Sequence, residues 1–325
     1  MGEKTVSIVM CTFNGAKYIK EQLDSILAQT YPIHEIIIQD DISDDGTMEI
    51  LQTYASENAN IKIYQNKKTL GANANFYMAL CRASGSYIAV SDQDDIWEPD
   101  KIAHQIEKIG DNLLCIGRSW YFTDDGSFIH NDIRIPNYTL LHLMFNGAPG
   151  HNMLLKREIL SLLPPDASMR QVVMYDTAFA FVAAAKGSLV YTDKVLVQHR
   201  RHKEAETYND FKHSLPSVGN FFYILRWCIK HYRDAKPVSD KYIGSKLEEL
   251  RYLNCDNESC RTAIRMMELH LKPGIWSKIR LGYLYAKNCD RLFQTEGFSL
   301  VKYIRGWFYP VMCMYSCRFK IGNEK

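Results

Sequence analysis

The feature that most limits the folds open to this chain is the alternation running through its first 110 residues. "VSIVMC" (6–11), "EIIIQDD" (35–41), "IKIYQN" (61–66) and "SYIAV" (86–90) are short apolar runs that read as buried strands. Between them Lys17–Gln29, Thr47–Ser56 and Gly71–Ala83 carry helix-like spacing, and Pro99–Ile109 follows with its proline near the first turn. Strands and helices at this spacing predict βαβ units and a mostly parallel α/β sheet.

Beyond Asp111 the alternation loosens. "LLCIGRSWYFTDD" and "SFIHND" read as strands of a mixed sheet, "GHNMLLKREILSLLP" as a strand entering a short helix, Val172–Ala185 as a helix, and "SLVYTDKVLVQHR" as closing strands. From Tyr208 the pattern is helical, over about 209–233, 237–253, 257–271, 275–293 and 297–317. The expected division is therefore an α/β part, 1–205, and a helical part, 206–325. Charge divides in nearly the same place. Residues 1–199 hold 16 Lys+Arg against 24 Asp+Glu, and residues 200–325 hold 23 against 13. An acidic first part suits cations; a basic tail suits an anionic surface.

In an open α/β sheet, ligands bind beyond the carboxyl ends of the strands. Those ends offer Thr12 and Asn14, then Asp40 and Asp41, then Asp92, Asp94 and Asp95. No glycine-rich phosphate loop follows any of them. An acidic edge holds a phosphate when a divalent cation, Mg²⁺ or Mn²⁺, lies between. The plainer reading of Asp92–Asp94 is a turn; its position directly behind a buried strand, beside a second acidic strand end, favours the metal. Asp44-Asp45-Gly46 reads as a turn and helix start, whereas Asp40 and Asp41 precede the turn and suit a base N–H or a ribose hydroxyl.

Taken together, "SIVMCTFNGAKYIKEQLDSILAQTY", "EIIIQDDISDDGT", "GANANFYMAL" and "YIAVSDQDDIWEPDKI" resemble the family-2 glycosyltransferases, over roughly residues 5–205, and look most like their bacterial rhamnosyltransferase-like members. The resemblance implies a GT-A fold, a nucleotide-diphosphate sugar donor (UDP-, dTDP- or GDP-linked), a divalent metal and an inverting displacement by an acceptor hydroxyl. It assigns Thr12 and Asn14 to the nucleotide-contacting first loop and Asp40 and Asp41 to base and ribose. It assigns Asp92 and Asp94 to the D-x-D motif, Asp94 as the direct metal ligand, and Asp176 to the catalytic base. "HRRH" (199–202) falls on the stretch near the diphosphate, so Arg200 and Arg201 are candidate phosphate ligands and His202 a further metal ligand. The chain departs from the pattern at Ile42, where a glycine is frequent, at Thr177, where a tryptophan is frequent, and at His199, which replaces an aromatic. Should Asp176 prove structural, Asp95, Asp193 and His151 are the other candidate bases.

The rival of a different class is a non-catalytic nucleotide-sugar or saccharide-binding protein of the same fold. It would lack the D-x-D or the base, and both are present. A saccharide or lipid-linked saccharide is the expected acceptor, in bacterial cell-surface polysaccharide synthesis; no nucleic-acid partner is expected. Nine scattered cysteines with no zinc-like spacing, and no signal-peptide core or ~20-residue apolar run, set the expectation of a cytoplasmic protein with reduced thiols. In the tail Phe221, Phe222, Tyr223, Trp227, Trp276, Tyr283, Tyr285, Trp307, Phe308 and Tyr309 recur among Lys and Arg. Such helices either pack on their neighbours or lie on an anionic membrane.

Overall fold

A computed structural model describes residues 4–127, 129–131, 133–202, 218–293 and 299–318. The first half builds the expected alternation: β1 (Val6–Thr12), α1 (Ile19–Leu27), β2 (Glu35–Asp40), α2 (Thr47–Glu57), β3 (Ile61–Gln65), α3 (Ala72–Leu80) and β4 (Tyr87–Ser91). Every residue of β1, β2 and β4 is buried. These strands are apolar on both faces because helices cover both faces of the sheet. Helix α1 shows the opposite economy, turning Ile19, Leu23 and Ile26 inward on one stripe.

Next come β5 (Ile96–Trp97), α4 (Lys101–Ile109), β6 (Leu114–Phe122), β7 (Ile129–Asn131), α5 (Leu140–Leu143), a 3₁₀ turn at Gly150–Asn152, β8 (Met153–Lys156), α6 (Ser168–Val172), α7 (Tyr175–Ala185) and β9 (Leu189–Arg200). The sheet order is β3-β2-β1-β4-β8-β6-β9-β5, with β7 paired to β6. Strands β1–β4 run parallel; β8 is antiparallel to β4 and β6, and β9 runs parallel to β6. Three features differ from the sequence expectation. The two-residue β5 lies inside the acidic "DQDDIWEPD" and pairs with β9, a register no local pattern announces. The closing strands are one continuous β9. The helix expected over 172–185 begins at Tyr175, because Val173 and Met174 adopt extended backbone after the unforeseen α6, so Asp176 stands in the first turn of α7.

Two compact units result: Met1–Arg134 with Ala148–Pro164 and Met174–Tyr208, and Ile135–Gly147 with Pro165–Val173 and Asn209–Lys325. The division thus differs from a single cut at 205, because two short segments of the α/β half belong to the helical unit. That unit contains α8 (Val218–Lys230), α9 (Tyr232–Leu253), α10 (Glu258–Leu271), α11 (Ile275–Lys287), α12 (Cys289–Leu292) and α13 (Ser299–Met312). Helix α9 begins before Pro237 rather than at it. The expected helical residues 209–217 lie outside the described residues. Segment 135–147 is fastened within this unit: Asn137 Nδ2 and Thr139 Oγ1 donate to carbonyls near the end of α12, and the buried Lys246 ammonium donates to the carbonyls of Leu143 and Met144. No described helix is long and apolar enough to cross a membrane.

Candidate active site

The parallel register of β1, β2 and β4 brings their carboxyl ends to one edge of the sheet. The loops leaving that edge are tied to one another. Gln93 accepts from the Phe13 N–H at 2.9 Å and donates back to the Phe13 carbonyl at 3.0 Å, joining the β1 and β4 loops. A Cβ on Gly15 would sit 2.3 Å from Gln93 Oε1, so only glycine allows this approach. Asn14, in the left-handed region at φ 50°, accepts from the Asp44 N–H through its side chain, while its own N–H donates to Ser43 Oγ. Asp45 receives the N–H groups of Ala16 and Thr47 and so fixes the start of α2.

The edge opens into a cleft of about 730 Å³. Of the residues singled out from the sequence, Thr12, Asp41, Asp92, Asp94, Asp176, Arg200, Arg201 and His202 line it; Asn14 and Asp40 do not. Asp40 is fully buried, and its carboxylate accepts from Thr12 Oγ1, the N–H and hydroxyl of Ser43, and Gln65 Nε2. Four protein donors leave it a loop-fixing role. Asp41 also holds backbone, receiving the N–H groups of Leu70 and Gly71 and the Asn66 amide, but from the cleft wall. Ile42, directly after it, has φ 67°. This β-branched residue is in the left-handed region and carries local strain.

The other half of the cleft comes from β4 and β9. His202 Nε2 lies 2.8 Å from Asp94 Oδ2, and the His202 ring packs on Tyr18 at 4.7 Å. Arg200 lines the cleft with several of its donors already engaged. Its guanidinium donates to the Asp94 carbonyl and to the carboxylates of Asp124 and Glu21, and its backbone N–H donates to Asp95. Those contacts tie Arg200 to the Asp94–Asp95 loop, and both it and Arg201 lie on the cleft wall.

Sequence reasoning did not foresee a pair of stacked imidazoles. His151 and His199 lie face to face, 4.3 Å apart and 10° from parallel. His199 Nδ1 is 2.9 Å from Asp95 Oδ1, His151 Nδ1 is 3.8 Å from Asp92, and His151 Nε2 meets Ser119 Oγ at 2.7 Å. Burial works to lower both histidines. For His151 it prevails, helped by the neighbouring His199. For His199 the carboxylates of Asp95, Asp92 and Asp94 overcome it and hold the ring up to about 9. Burial, then the charges of Asp95 and Asp94, raises Asp92 well above the usual carboxylate range. Among the described residues, Asp92, Asp95, His151 and His199 form a group whose possible ligand atoms lie within 4.8 Å of one another. Asp95, however, is fully buried and already paired to His199. Asp94 and His202 instead offer two atoms at the cleft wall. That donor set fits a hard divalent cation, with Asp92 alongside.

Asp176 faces the cleft from the first turn of α7. Burial pushes its carboxyl up to about 6, against the pull of the Thr177 and Gly150 N–H groups. Gly150 abuts it: a Cβ there would meet Tyr175 Oη at 2.2 Å and Asp176 Cβ at 3.3 Å. Asp193 does not line the cleft, so of the alternative bases His151 is the one that does.

An acidic cleft at the ends of a parallel half-sheet, with His202 carried in beside Asp94 just beyond the end of β9, defines a nucleotide-sugar transferase architecture of GT-A type. The glycosyl transferase family 2 profile matches residues 7–168, and the chain belongs to that family. A glycosyltransferase of Bacillus subtilis named for teichuronic acid biosynthesis is 34% identical over 133 residues, 40% of this chain and 53% of the relative. The chain thus spans about half the length of that relative. Two solved structures share the fold: Staphylococcus aureus TarS 1-349 in complex with UDP-GlcNAc (TM-score 0.58, 15% identity, 97% of this chain and 92% of that one) and a Pyrobaculum calidifontis mannosyltransferase in complex with GDP-Man and Mn²⁺ (TM-score 0.50, 17% identity, 98% and 88%).

Proposed function

We propose that the protein transfers a sugar from a nucleotide-diphosphate donor to a hydroxyl of a saccharide or lipid-linked saccharide, with inversion, in cell-surface polysaccharide synthesis. The observation that carries this reading is the convergence of Asp41, the Asp94–His202 pair and Asp176 on one cleft. The nucleoside lies against Thr12, Phe13 and the loop that Asp41 anchors at Leu70 and Gly71. Asp92, Asp94 and His202 would hold a Mg²⁺ or Mn²⁺ ion, which when bound neutralises the diphosphate and makes it a better leaving group. Arg201 adds positive charge on the phosphate side.

Asp176 takes the proton of the acceptor hydroxyl as that oxygen bonds to the anomeric carbon. The bond from that carbon to the donor's phosphate oxygen breaks, and the nucleoside diphosphate departs with the electron pair. A carboxyl raised to about 6 is a stronger base than an exposed aspartate and still mostly ionised at neutral pH. The Bacillus relative's name and the donors held by TarS and the archaeal mannosyltransferase support the substrate class. The test is incubation with labelled UDP-, dTDP- and GDP-sugars, Mg²⁺ or Mn²⁺, and saccharide acceptors. A new glycosidic bond of opposite anomeric configuration is expected. Donor binding without turnover of any donor, by transfer or hydrolysis, would instead mark a binding protein.

A further inference from the structure

Helices α8, α11 and α13 contain 40 residues, no Asp or Glu, and seven Lys or Arg. Each leaves an apolar face exposed at helical spacing: Phe222, Tyr223 and Ile229 on α8; Ile275, Trp276, Ile279 and Tyr283 on α11; Leu300, Val301, Ile304, Trp307 and Phe308 on α13. The tail aromatics therefore divide. Tyr285 and Tyr309 are buried and meet edge-on at 5.8 Å, whereas Trp276 is 74% and Phe222 62% exposed.

The three faces join into one surface. At Gly306 a Cβ would come within 2.5 Å of Ala286 Cα, and at Gly282 within 2.8 Å of the Trp307 ring, so these two glycines let α11 and α13 lie in close contact. On the other side Phe221 bridges Phe308, at 5.7 Å, and Phe222, at 5.4 Å. Large contiguous apolar surfaces mark interaction sites. Charge selects the partner. Arg226, Lys230, Arg280 and Lys287 are exposed on these helices with no acidic residue among them. A second copy docked by two-fold symmetry would set cations against cations. An anionic bilayer takes such a surface favourably, its acyl boundary receiving Trp, Phe and Ile while the basic heads reach the lipid phosphates.

We infer that the α8–α11–α13 face is a peripheral binding surface for an anionic membrane. The inference needs no sugar chemistry and is tested without any. The full chain is co-sedimented with vesicles of phosphatidylcholine alone and of phosphatidylcholine with phosphatidylglycerol, while Trp emission is followed. The expected result is binding confined to the anionic vesicles, with a blue shift from Trp276 and Trp307. Binding should weaken with salt and fall roughly fivefold for each charge removed in Arg226→Gln and Lys230→Gln. Phe222→Ser with Trp276→Ser, both at exposed sites, should weaken it further with the circular dichroism spectrum unchanged. Equal partition onto neutral vesicles, or no partition onto either, overturns the inference. So does a dimer in sedimentation that these same variants dissociate, which would make the face a contact between copies.

Discussion

At the residue scale, two carboxylates of one cleft have different surroundings and different tasks. Asp176 is raised by burial in the first turn of a helix, and the role we propose for it is a proton transfer. Asp176→Asn keeps the shape, so donor affinity by calorimetry should stay near wild type while kcat falls ~10²–10⁴-fold. The wild-type rate should fall as pH drops through about 6, because protonation removes the base, and the variant should lack that limb. Near wild-type transfer by the variant would exclude the assignment. Asp94 touches a histidine and stands at the proposed cation site. Asp94→Ala should cost nucleoside-diphosphate affinity in Mn²⁺ by at least the ~10–100-fold that loss of an outer-shell partner costs. Without metal the two proteins should bind alike; equal affinity in Mn²⁺ would remove the role.

At the element scale, the site depends on how closely the 3₁₀ turn at 150–152 approaches α7. Tyr175 cannot swing away from a new Cβ at Gly150, since it is buried and its ring stacks on Phe76 at 4.2 Å. Gly150→Ala should displace the first turn of α7 and lower kcat more than donor affinity; unchanged steady-state kinetics would show that the contact yields freely. The sheet has its own polar tie. Glu35, at the start of β2, accepts from Ser7 Oγ, from the N–H and hydroxyl of Ser84, and from Lys62 Nζ, each at 2.7 Å. Burial alone would raise it, but these donors together bring it down to about 2. A depressed carboxyl contributes stability that is complete above its unfolded value near 4.5 and is lost as pH falls toward 2. Glu35→Gln should therefore cost about 2 kcal/mol at pH 7. In denaturant titrations the gap from wild type should close between pH 4.5 and 2; a constant gap would contradict the linkage.

At the scale of the whole molecule, the interleaved units govern what can be cut. Leu141, Leu143 and Met144 are fully buried, and segment 135–147 is held by α12 and by Lys246 of α9. A fragment ending at 205 would expose those side chains and should aggregate, whereas a simple linear boundary would leave it monomeric on size exclusion. Of the nine cysteines, Cys81 alone is exposed and Cys255 half-buried; the other seven are buried.

The sequence by itself determined the α/β half, because a strand covered on both sides must be apolar throughout and a crossover helix must be apolar on one stripe. Both patterns are local, and they put Thr12, Asp41 and Asp92 at one sheet edge before any coordinates. Asp176 and His202 came from resemblance, since neither lies beside the acidic edge in sequence. Only the tertiary structure turned Asp40 inward, engaged Arg200 with Glu21, Asp124 and the Asp94 carbonyl, and stacked His151 on His199. Thr12–Asp40, His151–His199 and Glu21–Arg200 join residues 28, 48 and 179 positions apart through strand pairings that no local periodicity encodes. The tail aromatics show the same limit. Helical spacing announces a face, but whether that face meets protein, as at Tyr285, or is left open, as at Trp276, depends on neighbours that arrive only when the chain folds.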